Sequence, residues 1–269
     1  MRINRLASCG ALVALVTGAT GVTAQPLASR IAASSGNVAF SYNTAPNVCG
    51  TGTSISIAED ELPASGVVPR PFRGMRIGRH TDHDEPCEIG PARVTLTRDG
   101  DSIVNVRVTV GGTGRTTGTD LGSVPGPEGA AYLLSLARRL SGKAADAAIL
   151  GAAIADRAVI WKELVEIARD NGASAAARKA SLFWLSHFAT PAALAGVDAV
   201  AEDETAEQAV RQDALFYIAQ RPNREGVPAL IRVVRESRSA KLRKDAIWYL
   251  SQSDDPRALA LFEELLARR

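Results

Sequence analysis

The chain has 269 residues, 46% of them hydrophobic and 22% charged, a balance that excludes wholesale disorder and a collagen-like repeat. Its 31 Lys+Arg stand against 29 Asp+Glu, which argues against a general nucleic-acid binder, because that affinity rests on excess basic charge. Beyond residue 24 no apolar run reaches the ~18–20 residues needed to span a bilayer.

Residues 1–24 carry the pattern of an export signal. Arg2 and Arg5 form a short basic start, an apolar stretch runs from Leu6 to Val16, and small residues lead to Ala24. Cleavage is expected after Ala24, giving a periplasmic or secreted protein. Leu6-Ala7-Ser8-Cys9 also matches a lipid-attachment motif, but Cys9 precedes most of the apolar stretch, so export without lipidation is expected. Cleavage removes two arginines and leaves basic and acidic residues equal in number. It also removes Cys9, so only Cys49 and Cys87 remain. In an oxidising compartment these two are expected to pair, with two free thiols or two metal ligands as the alternative. Closing that ring is worth ~4 kcal/mol in the chain-entropy model.

Residues 25–112 are expected to form a small disulfide-linked β module. Val38, Phe40 and Tyr42 alternate with Ala39 and Ser41, and Ile55 and Ile57 flank Ser56. Arg93–Thr97 and Ile103–Val110 read as two arms of a hairpin around Asp99-Gly100. In the second arm Val104, Val106, Val108 and Val110 are expected on one buried face. Residues 113–126, rich in Gly, Thr and Pro, read as a linker. Gly112, Gly114 and Gly118 faintly suggest a phosphate-cradling loop, but no helix opens at once behind them, as a dinucleotide site would require.

From residue 127 to 269 strand signals vanish and alanine becomes abundant, as expected of closely packed helices. Three segments, Ala177–His187, Val210–Gln220 and Leu242–Gln252, superimpose without gaps. Arg178, Arg211 and Arg243 occupy one slot in them, and each segment precedes a turn with proline, at Pro191, Pro222 and Pro256. Further apolar helices are expected around Val159–Ala168 and at Val227, Leu230, Ile231 and Val234. Two-helix units at this period predict an α-solenoid of about four helix pairs.

This string of an apolar residue, Arg, then Ala or Ser, then Leu or Ile, followed by a Pro-containing turn, resembles the short bacterial HEAT repeat shared with phycobilisome-lyase-like proteins. The resemblance spans roughly residues 155–269. The whole layout is similar to secreted bacterial HEAT-repeat-domain proteins with an N-terminal Cys-containing β module, matched here at Phe40-Ser41-Tyr42, Val48-Cys49-Gly50 and Cys87. It implies an α+β architecture, a small antiparallel β module followed by HEAT-like helix pairs. It implies no chromophore-lyase activity.

Within the repeats, Val210, Ala214, Tyr217 and Ile218 form one stripe, which Leu242, Ala246, Tyr249 and Leu250 repeat. Phe183, Phe216 and Trp248 lie off its centre. They are expected to pack between repeats, with an exposed aromatic row for a ligand as the alternative. Arg178, Arg211 and Arg243 are expected to brace adjacent units against acids such as Asp213 and Asp245, and His187 reads as a surface variant.

Inside the cysteine ring, His80, Asp82, His83, Asp84 and Glu85 offer ligand types that suit a divalent metal. A solvated, self-neutralising loop is the expectation for them. No serine-hydrolase, zinc-protease or Cys-x-x-Cys motif is present, so no enzyme and no cofactor are expected. The expected function is a non-catalytic, protein-binding scaffold of the cell envelope, with no nucleic-acid partner and no integral membrane segment in the mature chain. The alternatives are a metal-binding protein or metal-dependent hydrolase using His80–Glu85, and an envelope polysaccharide-binding module.

Overall fold

The computed structural model describes residues 25–58, 75–77, 87–112 and 118–267. The expected export signal, the His80–Glu85 cluster and residues 113–117 lie outside the described residues.

The β region opens with a short helix, α1 (Leu27–Ala33), that its sequence did not announce. The strands are β1 (Val38–Tyr42), β2 (Val48–Gly50), β3 (Ile55–Ile57), β4 (Met75–Ile77), β5 (Ala92–Asp99), β6 (Ser102–Val110) and β7 (Thr119–Ser123). They form a four-stranded sheet in the order β6-β5-β1-β7 and a three-stranded sheet in the order β2-β3-β4. Both sheets are mixed: β1 runs antiparallel to β5 but parallel to β7, and β3 runs antiparallel to β2 but parallel to β4.

Two sequence expectations change here. The segment expected as a linker contributes β7, held by backbone pairing to β1 and by an Arg93–Asp120 ion pair of 2.5 Å. In the β5–β6 hairpin the register steps from Thr97↔Asn105 to Arg98↔Ile103, so Val104 is skipped. That bulge turns Val104 out to solvent, while Val106 and Val110 stay buried.

One face of the larger sheet is apolar. Val38, Phe40 and Tyr42 lie opposite Leu96, Val94 and Ala92, which in turn face Val106, Val108 and Val110. The other face carries Arg93, Thr95, Asn105 and Arg107. Cys49 on β2 and Cys87 form a disulfide across 38 positions. Beside it, Gly50 and Glu88 exchange backbone hydrogen bonds of 3.0 and 2.9 Å, so covalent and backbone links fix the returning chain at one point.

The helices are α2 (Gly126–Ala137), α3 (Gly142–Ala153), α4 (Trp161–Arg169), α5 (Ala175–Phe188), α6 (Pro191–Glu202), α7 (Gln208–Ala219), α8 (Val227–Glu236), α9 (Ala240–Ser251) and α10 (Pro256–Ala267). Side-chain caps set several starts: Ser174, Thr190 and Ser239 accept from the backbone N–H three residues on, and Pro191 follows its cap directly. The helices form two rows, α3-α5-α7-α9 and α4-α6-α8-α10. Each helix of the first row packs most closely on the helix before it, giving the pairs α2/α3, α4/α5, α6/α7 and α8/α9. This is the α+β, solenoid-like architecture expected from the repeat.

No solvated gap separates sheet from helices. A single apolar cluster runs from Leu27 and Phe40 through Leu133, Leu164 and Leu182 to Leu261. At the junction the Tyr42 hydroxyl, fully buried, donates to the Gly151 carbonyl at 2.6 Å. The ring lies on Gly129, where an added Cβ would come within 2.7 Å of it. A Cβ on Gly151 would meet the Tyr42 hydroxyl and Val108 Cγ2, both at 3.0 Å, so glycine at these two positions lets helix and sheet approach closely.

Candidate protein-binding surface

The repeated slots are equivalent in three dimensions. On α5, α7 and α9 adjacent aromatic pairs recur: Phe183–Trp184, Phe216–Tyr217 and Trp248–Tyr249, with ring centroids 5.3, 5.3 and 5.0 Å apart and ring planes crossing at 81°, 72° and 70°. Phe183 also meets Tyr217 of the next layer edge-on at 6.5 Å. The expected stripe is buried at Val210, Ala214, Tyr217 and Ile218, and again at Leu242, Ala246 and Leu250.

Phe183, Phe216 and Trp248 do not share one environment. Phe183 is buried, Phe216 half-buried, and Trp248 58% exposed. The gradient follows position in the stack: α7 covers Phe183, whereas no helix of the described residues covers Trp248. His187 is half-buried, stacked on Phe183 at 5.9 Å with ring planes 6° apart and edge-on to Trp184 at 5.2 Å. It is a packing residue as much as a surface one.

The repeated arginines find partners other than Asp213 and Asp245. Arg178 is buried and pairs with Glu207, the residue preceding α7, at 3.0 Å. Arg211, also buried, donates to the Ala201 carbonyl at 3.0 Å and to Glu204 at 2.8 Å. Arg243 donates to the carbonyls of Ser237 and Arg238 at 2.7 and 3.1 Å. Arg211 and Arg243 thus close the C-terminal end of the preceding helix, where carbonyls lack intrahelical partners and the helix dipole favours a cation. Sequence spacing located the slot but could not show a carbonyl as the acceptor.

Asp213 on α7 and Asp245 on α9 are instead half-buried. Burial raises the Asp213 carboxyl above its usual range, and the Lys179 ammonium works against that shift. Burial likewise raises the Tyr217 and Tyr249 hydroxyls, with Asp213 adding to the effect on Tyr217 and Asp245 to that on Tyr249. Asp245 accepts from Gln212 of α7 at 2.6 Å and from Lys241 at 3.0 Å. On α7 and α9 the row therefore presents Phe216, Trp248 and Tyr249 beside half-buried Asp213 and Asp245, whereas on α5 both rings are buried and Ala180 holds the carboxylate's slot.

Along the other row, ion pairs link consecutive layers: Arg138–Glu166, Arg169–Asp203, Arg232–Glu202 and Arg235–Glu264, at separations of 28, 34, 30 and 29 residues. Those separations are the repeat period expressed as contacts. Among the described residues no group of three or more His, Cys, Asp or Glu is arranged to hold a metal. No described helix is long and apolar enough to cross a membrane.

Residues 201–269 match the family of HEAT repeats. The match covers α7 to α10 and, with the stacked helix pairs before it, supports a HEAT-repeat protein. No curated protein and no solved structure matches the chain.

Proposed function

We propose that the protein is an exported, non-catalytic scaffold of the cell envelope that holds another protein against the α5-α7-α9 row. The observation that carries this is the aromatic pair repeated at equivalent slots of α5, α7 and α9, with Phe216, Trp248 and Tyr249 partly open to solvent. Stacked repeats make extended surfaces suited to protein partners, and the HEAT match over residues 201–269 agrees with that role. Half-exposed Phe216 and Tyr249 have the ring chemistry that dominates protein interfaces. Export rests on the residue 1–24 pattern, and the absence of an assigned catalytic step rests on the missing motifs.

Affinity capture from envelope extracts, comparing the wild type with Phe216→Ala/Tyr249→Ala, tests the binding surface. A specific protein is expected with the wild type and lost with the double variant, provided the circular dichroism spectrum is unchanged. Equal capture by both would contradict the surface. N-terminal sequencing of the exported protein is expected to begin at Gln25; an intact Met1 in a cytoplasmic fraction would contradict export.

A further inference from the structure

Asp213 is the odd member of its slot. Counted from the helix N-caps Ser174, Glu207 and Ser239, its equivalents are Ala180 on α5 and Asp245 on α9. Asp245 is supplied with donors from within the fold. Gln212 of the preceding layer reaches it at 2.6 Å, and Lys241, one turn earlier on its own helix, at 3.0 and 3.2 Å. Asp213 has neither. In the slot of Lys241, α7 carries Ala209, and in the slot of Gln212, α5 carries an exposed Lys179 that forms no ion pair with it. Among the described residues the Asp213 carboxylate has no hydrogen-bond partner at all.

A second polar group beside it is equally unprovided for. Tyr217 lies at i+4 on the same face of α7 and is only 7% exposed, yet its hydroxyl makes no hydrogen bond among the described residues. The Asp213 charge acts on this hydroxyl and on that of Tyr249 in the next layer, so the carboxylate faces phenols of two layers. The half-buried Phe216 ring adjoins Tyr217 at 5.3 Å. Leaving such groups half-buried without partners costs free energy, and one incoming group with several N–H donors would remove that cost. A metal would need a third ligand, and no His, Cys, Asp or Glu of the described residues completes such a set. A guanidinium carries five donors in a plane, grips a carboxylate with two of them and lies flat on aromatic rings.

We propose that the α7–α9 step takes an arginine side chain of the bound protein, which donates to Asp213 and to the Tyr217 hydroxyl oxygen beside the rings of Phe216 and Tyr249. The proposal rests on the protein-binding role of this row and names the chemistry that the row recognises.

Titration of the purified protein with N-acetyl-argininamide, followed by nuclear magnetic resonance at the Phe216, Tyr217 and Tyr249 rings, tests it. Saturable shifts are expected, and Asp213→Asn is expected to weaken binding at least about 10-fold with the melting temperature unchanged. Tyr217→Phe, which keeps the ring, is expected to weaken it less. The neutral N-acetyl-glutaminamide should give no saturable shift. No saturation with the arginine probe, equal binding of the neutral probe, or an Asp213→Asn variant that binds as the wild type does would overturn the proposal. A partner captured from envelope extracts by Asp213→Asn but lost by Phe216→Ala/Tyr249→Ala would overturn the arginine alone and leave the binding surface standing.

Discussion

Tyr42 joins the two halves of the molecule by one buried hydrogen bond to Gly151 and by its ring against Gly129. Tyr42→Phe keeps the ring and leaves the buried carbonyl without its donor, so a loss of about 1–3 kcal/mol is expected in urea denaturation. Arg211→Met likewise removes the donor from Ala201 and Glu204, and a loss of about 1–3 kcal/mol is expected in the same assay. Asp255 shows the pH dependence of one such contact. The Arg257 guanidinium bonded to it holds its carboxyl down to about 2, from an ordinary 3.8, and the Arg257 backbone N–H assists. A carboxyl lowered by folding contributes its full stability above its ordinary value, and the contribution disappears as pH falls toward about 2. The difference in melting temperature between wild type and Asp255→Asn is therefore expected to shrink steadily from pH 4 to pH 2; a constant difference would remove the ion pair from the explanation. At this scale the sequence showed which positions recur, because a repeat is visible in one dimension. It could not show the acceptors of Arg211 and Arg243, since backbone carbonyls leave no mark in composition.

At the level of elements, legibility followed side-chain burial. The hairpin arms, the buried stripes of α7 and α9, and the apolar face of α8 are all periodic in sequence and all present in the fold. β7 was missed for the opposite reason. Its side chains are largely exposed, it carries Gly122 at a φ of 75°, and it is held mainly by backbone pairing to β1, so no alternation betrays it. Val104 was misplaced because a bulge shifts register without changing residue types. The Cys49–Cys87 bond acts on an element too small to hold itself, the three-stranded sheet whose strands have three residues each. Cys49→Ser/Cys87→Ser is expected to cost about 2–4 kcal/mol. Amide hydrogen exchange should rise first in β2 and β3, while α5 to α9 keep their protection. Uniform loss across the helices would contradict this local role.

The whole molecule is a stack of helix pairs closed at one end by a sheet, with one apolar core running through both. The β region and the helices nevertheless look like separate regimes in sequence, because composition changes sharply at the junction while burial does not. The effect of a local change in a stacked array falls off with distance, because each layer contacts only its neighbours. A perturbation at Tyr42 should therefore spread into α2 and α3 before it reaches α7 or α9. Amide hydrogen exchange of wild type and Tyr42→Phe, compared segment by segment, tests this directly. Faster exchange in β1, β5, α2 and α3 together, with α9 unchanged, is the expected result. Faster exchange confined to the strands, with α2 and α3 as protected as in the wild type, would show that sheet and helices are separate units and contradict the shared core.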